Sequence, residues 1–169
     1  MTFAEEMLKH AVELLYDPAK QPGDIQLRRA VSALYYALFH DINASAARLV
    51  APNVSLQTNH RIQRWFEHAE MKKVCWRFVP PKLDQPLLSL IGETASPDLR
   101  NVARTFIKLQ DARHSADYDL GYNLTFEDAG QLLAETAIAM GAWNSIQNSA
   151  EANIFILSLL MWKNWDKER

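Results

Sequence analysis

An all-α bundle of four to six helices, up and down and without a sheet, is the fold this sequence predicts. Three observations lead there. Apolar residues recur at spacings of three and four along most of the chain, and no apolar–polar alternation is sustained anywhere. The five glycines and seven prolines fall between the periodic segments rather than inside them. At 169 residues, 49% hydrophobic and 22% charged, the chain has ordinary globular usage and enough apolar surface to bury a core.

The elements follow in order. Thr2 with Glu5 makes a capping box that opens a first helix, running to about Tyr16 and ended by Asp17-Pro18. Pro22-Gly23-Asp24 is a turn and N-cap for a long second helix over Ile25 to Val50. In it Leu27, Val31, Leu34, Leu38 and Ile42 step by 4, 3, 4 and 4, a continuous core stripe. Pro52 ends it, and Ser55 caps a third helix expected to reach about Lys73. Val79 to Ser96, with Pro80-Pro81, Pro86 and Gly92, is the least regular stretch, with one short helical turn around Leu87 to Ile91. Ser96-Pro97-Asp98 then supplies an N-cap, a proline at the first helical position and an acid in the first turn of a fourth helix to about Ala116. Gly121 to Asn123 is a turn, and Thr125 with Asp128 opens a fifth helix to about Asn148. Glu151 to Trp165 is a final helix, either separate from the fifth or continuous with it.

Composition excludes several classes of function. A formal net charge of −2 provides no overall basic field, so any polyanion site must be a local patch. The single cysteine, Cys75, rules out an intramolecular disulfide and a multi-cysteine zinc site. Two lysines, Lys72 and Lys73, precede it and would lower its thiol pKa, but a lone cysteine beside Trp76 at a helix end reads rather as a buried small hydrophobe. Glu5 and Glu6 interrupt the N-terminus, which does not read as a signal peptide. The longest strongly apolar run, Ile154 to Trp162, is nine residues, against roughly 20 for a membrane-crossing helix. A soluble cytoplasmic protein with no membrane contact is expected. There is no glycine-rich phosphate loop, no H-E-x-x-H and no nucleophile elbow, so neither a metal nor another cofactor is expected.

Three constellations carry chemistry. On the second helix Arg29, Ser32, Tyr36, His40 and Asn43 step by 3, 4, 4 and 3 and form a polar stripe beside the core stripe, which either lines a cleft or sits at the core edge with its polar tips in water. On the third, His60, Arg64 and His68 are spaced i, i+4, i+8 and Arg61 is seven before His68, so all four share one face. Histidine titrates near neutrality and arginine pairs with phosphate oxygens, a combination suited to acid–base work on a phosphodiester; the bland counterpart is a solvated basic face paired with Glu67 or Glu70. At the end of the fourth, Arg113-His114-Ser115-Ala116-Asp117-Tyr118-Asp119 holds the i, i+4 pairs Arg113–Asp117 and His114–Tyr118, either a reactive cluster or an ion-paired helix end. Asp117 to Glu135 contains five acids and no lysine or arginine, which directs an RNA backbone toward the third-helix face instead.

The string Leu27-Arg28-Arg29-Ala30-Val31-Ser32-Ala33-Leu34-Tyr35-Tyr36-Ala37-Leu38-Phe39-His40 resembles the second helix of bacterial HEPN-domain proteins. Arg64-Trp65-Phe66-Glu67-His68 through Cys75, and Leu109-Gln110 through Asp119, resemble two further blocks of one HEPN branch, in the same order. The resemblance implies a HEPN-like helical bundle over residues 1–150, with 151–169 as a C-terminal apolar helix packed on the bundle or across a dimer interface. It implies a homodimer and a metal-independent endoribonuclease or RNA-targeting effector of a toxin–antitoxin or phage-defence system, with a cognate antitoxin or nucleotidyltransferase as partner. The alternative it leaves open is a non-catalytic module that binds RNA or a partner protein. The family's R-x4-6-H spacing is met here by Arg61 and His68. The residues expected to be catalytic are Arg113, His114, Asp117, Tyr118, His40 and Tyr36; those expected to bind RNA are Arg29, Arg61, Arg64 and His68.

Overall fold

The structure is a computed structural model that describes residues 1–64, 66–85 and 87–165. Trp65 of the second family-like block, the breaker Pro86 and the side chain of Trp162 lie outside the described residues. Among those described there are eight helices and no strand: α1 (Phe3–Leu15), α2 (Asp24–Val50), α3 (Leu56–Gln63), α4 (His68–Phe78), α5 (Leu87–Ile91), α6 (Pro97–Tyr118), α7 (Phe126–Ile146) and α8 (Ala150–Trp165). The all-α expectation holds. None of these helices is long and apolar enough to cross a membrane.

Local chemistry sets most boundaries. The Thr2 hydroxyl accepts from the Glu5 amide at 3.2 Å while the Glu5 carboxylate accepts from the Thr2 amide at 2.6 Å, the reciprocal pair that starts α1. Ser55 accepts from the Thr58 amide, Ser96 from Leu99 and Ser149 from Ala152, so α3, α6 and α8 each begin on a serine cap. Thr125 and Asp128 exchange the same kind of bonds at the start of α7. The Ser149 cap also settles that α8 is separate from α7. Gly92, with φ at 105°, ends α5 in the left-handed region that suits a residue without Cβ.

One boundary differs from the sequence reading. The third helix was expected to run unbroken to Lys73, but it stops at Gln63 and a new helix starts at His68. The reason is phase. Ile62 and Phe66 are buried, and so are Met71, Val74, Cys75 and Phe78. Ile62 and Met71 lie nine residues apart, about two and a half helical turns, so a continuous helix would aim them in opposite directions. Breaking the helix lets both sets reach a core.

The chain forms two compact units, Met1–Asp41 with Thr105–Met140 and Ile42–Arg104 with Gly141–Arg169. In the first unit the stripe residues Leu27, Val31, Leu34 and Leu38 are buried together with Tyr35, Phe106 and Leu109. In the second, α8 packs on α4 and α5. Phe155 there meets Phe78 edge-on at 5.0 Å and Trp143 at 6.0 Å. The inner face of the C-terminal run, Phe155, Ile156 and Leu159, is buried, whereas Leu157 and Met161 on its outer face are exposed. A polar network running from the core to the surface supports this unit as well: the Trp143 indole N–H donates to the Ser45 hydroxyl, and Gln147 Oε1 accepts from both Ser45 and Arg48.

Candidate functional site

The polar stripe of α2 and the last turns of α6 meet in the first unit. Ser32 donates to Asp117 Oδ1 at 2.8 Å, and Arg113 Nε donates to Asp117 Oδ2 at 2.9 Å, so both carboxylate oxygens are engaged. The Arg113 guanidinium also lies over two rings, 5.4 Å from the centroid of Tyr35 and 5.3 Å from that of Tyr36, within cation–π range. Tyr36 in turn stacks on His40 at 6.0 Å. His40 is bounded further by Phe39 at 5.2 Å and by Phe3 of α1 at 4.9 Å, both edge-on. Arg113, Asp117, Tyr36 and His40 therefore form one connected cluster, with Ser32 and Tyr35 as members the site expectation did not include.

His114 and Tyr118 occupy the next face of α6, where both are exposed and their rings sit 5.1 Å apart. Tyr118 lines a cleft of about 410 Å³ together with Ile25, Arg28, Arg29, Ala116 and Asp117. Asp117 thus belongs to both places: its oxygens hold Arg113 and Ser32, and its side chain forms part of the cleft wall.

The two adjacent arginines of α2 have different fates. Arg28 donates to the backbone carbonyls of Ala116, Asp119 and Tyr122, each at 2.9 Å, and to Asp24 at 2.8 Å. It closes the C-terminus of α6, a helix with no basic residue in its own last turn. Arg29, about 100° further round the helix, is exposed at the cleft. Sequence reading singled out Arg29 and missed Arg28. The signal was present in a helix end rich in acids whose last turn has no basic residue.

The acidic stretch from Asp117 to Glu135 is likewise met by cations from elsewhere. Lys108 on α6 bonds Glu135 on α7 at 2.7 Å. Asp119 turns its carboxylate onto the Gly121 amide. Hydrogen bonds from the Thr125 hydroxyl and amide hold the Asp128 carboxyl below its ordinary pKa.

The third-helix ladder is not formed. Arg61 lies in α3, Arg64 is its C-cap and His68 opens α4 after an extended Glu67, so the four residues do not share one helical face. Both Arg61 and Arg64 are exposed. Cys75 is the buried small hydrophobe the sequence favours: the side chain is fully buried, and desolvation pushes its thiol pKa up rather than down. Asn43, the last residue of the polar stripe, is fully buried in the second unit, and neither its Oδ1 nor its Nδ2 is hydrogen-bonded there. Among the described residues no three His, Cys, Asp or Glu side chains are grouped to hold a metal ion. No family model, no curated protein and no solved structure matches this chain.

Proposed function

We propose that this protein is a HEPN-type, metal-independent endoribonuclease, an RNA-targeting effector of a toxin–antitoxin or phage-defence system that works in the cytoplasm as a homodimer. The observation that carries the reading is an exposed imidazole, His114, 5.1 Å from the ring of Tyr118, which itself lines a cleft together with the exposed cation Arg29. In the reaction the RNA 2′-oxygen bonds to phosphorus while the bond from phosphorus to the 5′-oxygen breaks. His114 takes the 2′-hydroxyl proton, and the departing 5′-oxygen takes one from water. Arg29 balances the charge that builds on the phosphorane. Arg113 is less suited to that task, because Asp117 and two tyrosine rings already engage it.

That same engagement favours a second reading, a non-catalytic module that binds RNA or a partner protein. One assay separates the two: mixed RNA and DNA are incubated with the wild type and with His114→Ala, EDTA present throughout. The nuclease reading expects RNA cleavage in EDTA, intact DNA for want of a 2′-hydroxyl, and a loss of about 10²–10⁴-fold in the variant. Equal cleavage by both proteins refutes the role of His114. RNA binding without cleavage establishes the second reading in its place. Co-purification with a cognate antitoxin or nucleotidyltransferase, and sedimentation as a dimer, test the proposed partners.

A further inference from the structure

We infer that copies of this protein associate head to tail, the acidic aromatic face shared by α1 and the start of α7 in one copy meeting the Trp76 face of α4 in the next. The inference does not depend on the RNA reading. Such a heterologous contact is also distinct from a two-fold dimer, in which one patch meets the same patch of its partner.

The chain's net charge of −2 conceals a division. The first unit holds 6 lysines and arginines against 12 aspartates and glutamates, a net of −6. The second holds 12 against 8, a net of +4. Between two copies, like units therefore repel and unlike units attract, which steers the first unit of one toward the second unit of another.

Each unit also presents aromatic surface within that charge. In the first, Tyr16 is 52% exposed and Phe126 is 46% exposed, their rings edge-on at 5.5 Å. Val12, one turn before Tyr16, is exposed as well. Tyr16 lies across α7 at Gly130, its hydroxyl 3.4 Å from where a Cβ would stand, so the pair of helices offers one joint face. Exposed Glu13, Asp17 and Glu127 flank these residues in the sequence. Apolar surface with a polar border is the mark of an interaction site, and here the border is negative. Set against itself, this face would bring acids to acids.

Its complement is on the same chain. Trp76 is 55% exposed on α4, one turn after Lys72 and Lys73 and next to Arg77. Lys73 is held by Glu70 and Arg77 by Asp84, bonds that fix both cations near the indole. Tryptophan and tyrosine are the residues that most often anchor protein interfaces, while individual surface ion pairs add little. The rings thus supply the adhesion and the opposed net charges supply the choice of face. Because both halves of the match belong to this chain, a second copy is the occupant.

The test is sedimentation velocity of the full-length protein over a wide range of concentration, with each variant checked for unchanged helix content. In about 0.01 M NaCl, where the screening length is about 30 Å, the wild type should grow past a dimer as concentration rises. In about 1 M NaCl, where that length is about 3 Å, the growth should weaken by at least about tenfold. Trp76→Ala and the double variant Glu13→Lys/Glu127→Lys should each lose at least about tenfold in association, and Trp76→Phe should keep most of it. Mixed in equal parts, the two weakened variants should associate again, since one retains the acidic face and the other the Trp76 face. A mixture that associates no better than its parts overturns the inference. So does a wild type that stays the same size at every concentration and salt; if that size is a dimer, the homodimer proposed above still stands, and if it is a monomer, both fall.

Discussion

Replacing Arg28 with methionine keeps the length of the stem and removes a guanidinium that makes four hydrogen bonds. The bond to Asp24 contributes little, since that carboxylate is 63% exposed and such pairs are worth about 0–1 kcal/mol. The other three go to carbonyls at the end of α6 and in the following turn, two of them part-buried. Hydrogen bonds to a charged group contribute about 1.5–3 kcal/mol each, and an orphaned, part-buried acceptor recovers some of that from water. Arg28 itself is only 16% exposed, so solvent screening is modest. The loss should be about 3 kcal/mol, a fall of roughly 6–12 °C in Tm for a chain of this length. Urea unfolding followed by circular dichroism measures it, with Arg28→Lys and Asp24→Asn as controls. Lysine should restore less than half, because one ammonium cannot follow three diverging carbonyls, and Asp24→Asn should cost under about 0.5 kcal/mol. If methionine costs less than about 1 kcal/mol, or lysine restores full stability, Arg28 does not close α6 in the way argued.

Other consequences are open to measurement. Asn43→Leu should raise stability by about 1–2 kcal/mol, since it removes two buried polar atoms without hydrogen bonds and keeps the branching and heavy-atom count of the side chain; a lower unfolding midpoint would contradict this. Phe155→Ala should cost about 3–5 kcal/mol through the cavity left between Phe78 and Trp143, and a near-neutral result would mean α8 is not packed as described. Cys75 should resist a thiol reagent in the native protein and react at the ordinary rate in urea; fast native labelling would show an accessible thiol. The Asp128 pKa is depressed by its bonds to Thr125, so the stabilisation it contributes should be present above the ordinary aspartate pKa and be lost as pH falls through the folded value. NMR titration should find that carboxyl below the usual range in the wild type and nearer normal in Thr125→Ala.

The helices, their caps and the α2 core stripe were legible in the residues alone, because each depends on partners within about one turn. Thr2 needs only Glu5, Thr125 only Asp128, and the step from Leu27 to Leu38 states its own period. The α2 stripe and the Arg113–Asp117 block were each legible from helical spacing, but the bonds that join them were not, since Ser32 and Asp117 stand 85 residues apart in the chain. The break between α3 and α4 was readable in principle: the buried positions before and after residue 66 are half a turn out of phase, a slip that charge and histidine spacing concealed. What tertiary structure alone decided is which of two chemically equal neighbours is consumed. Arg28 and Arg29 are identical in local propensity, yet one faces carbonyls 88 to 94 residues away and the other faces the cleft. Cys75 obeys the same rule: two lysines stand beside it in sequence, but burial in a core built from residues distant in sequence raises its thiol pKa.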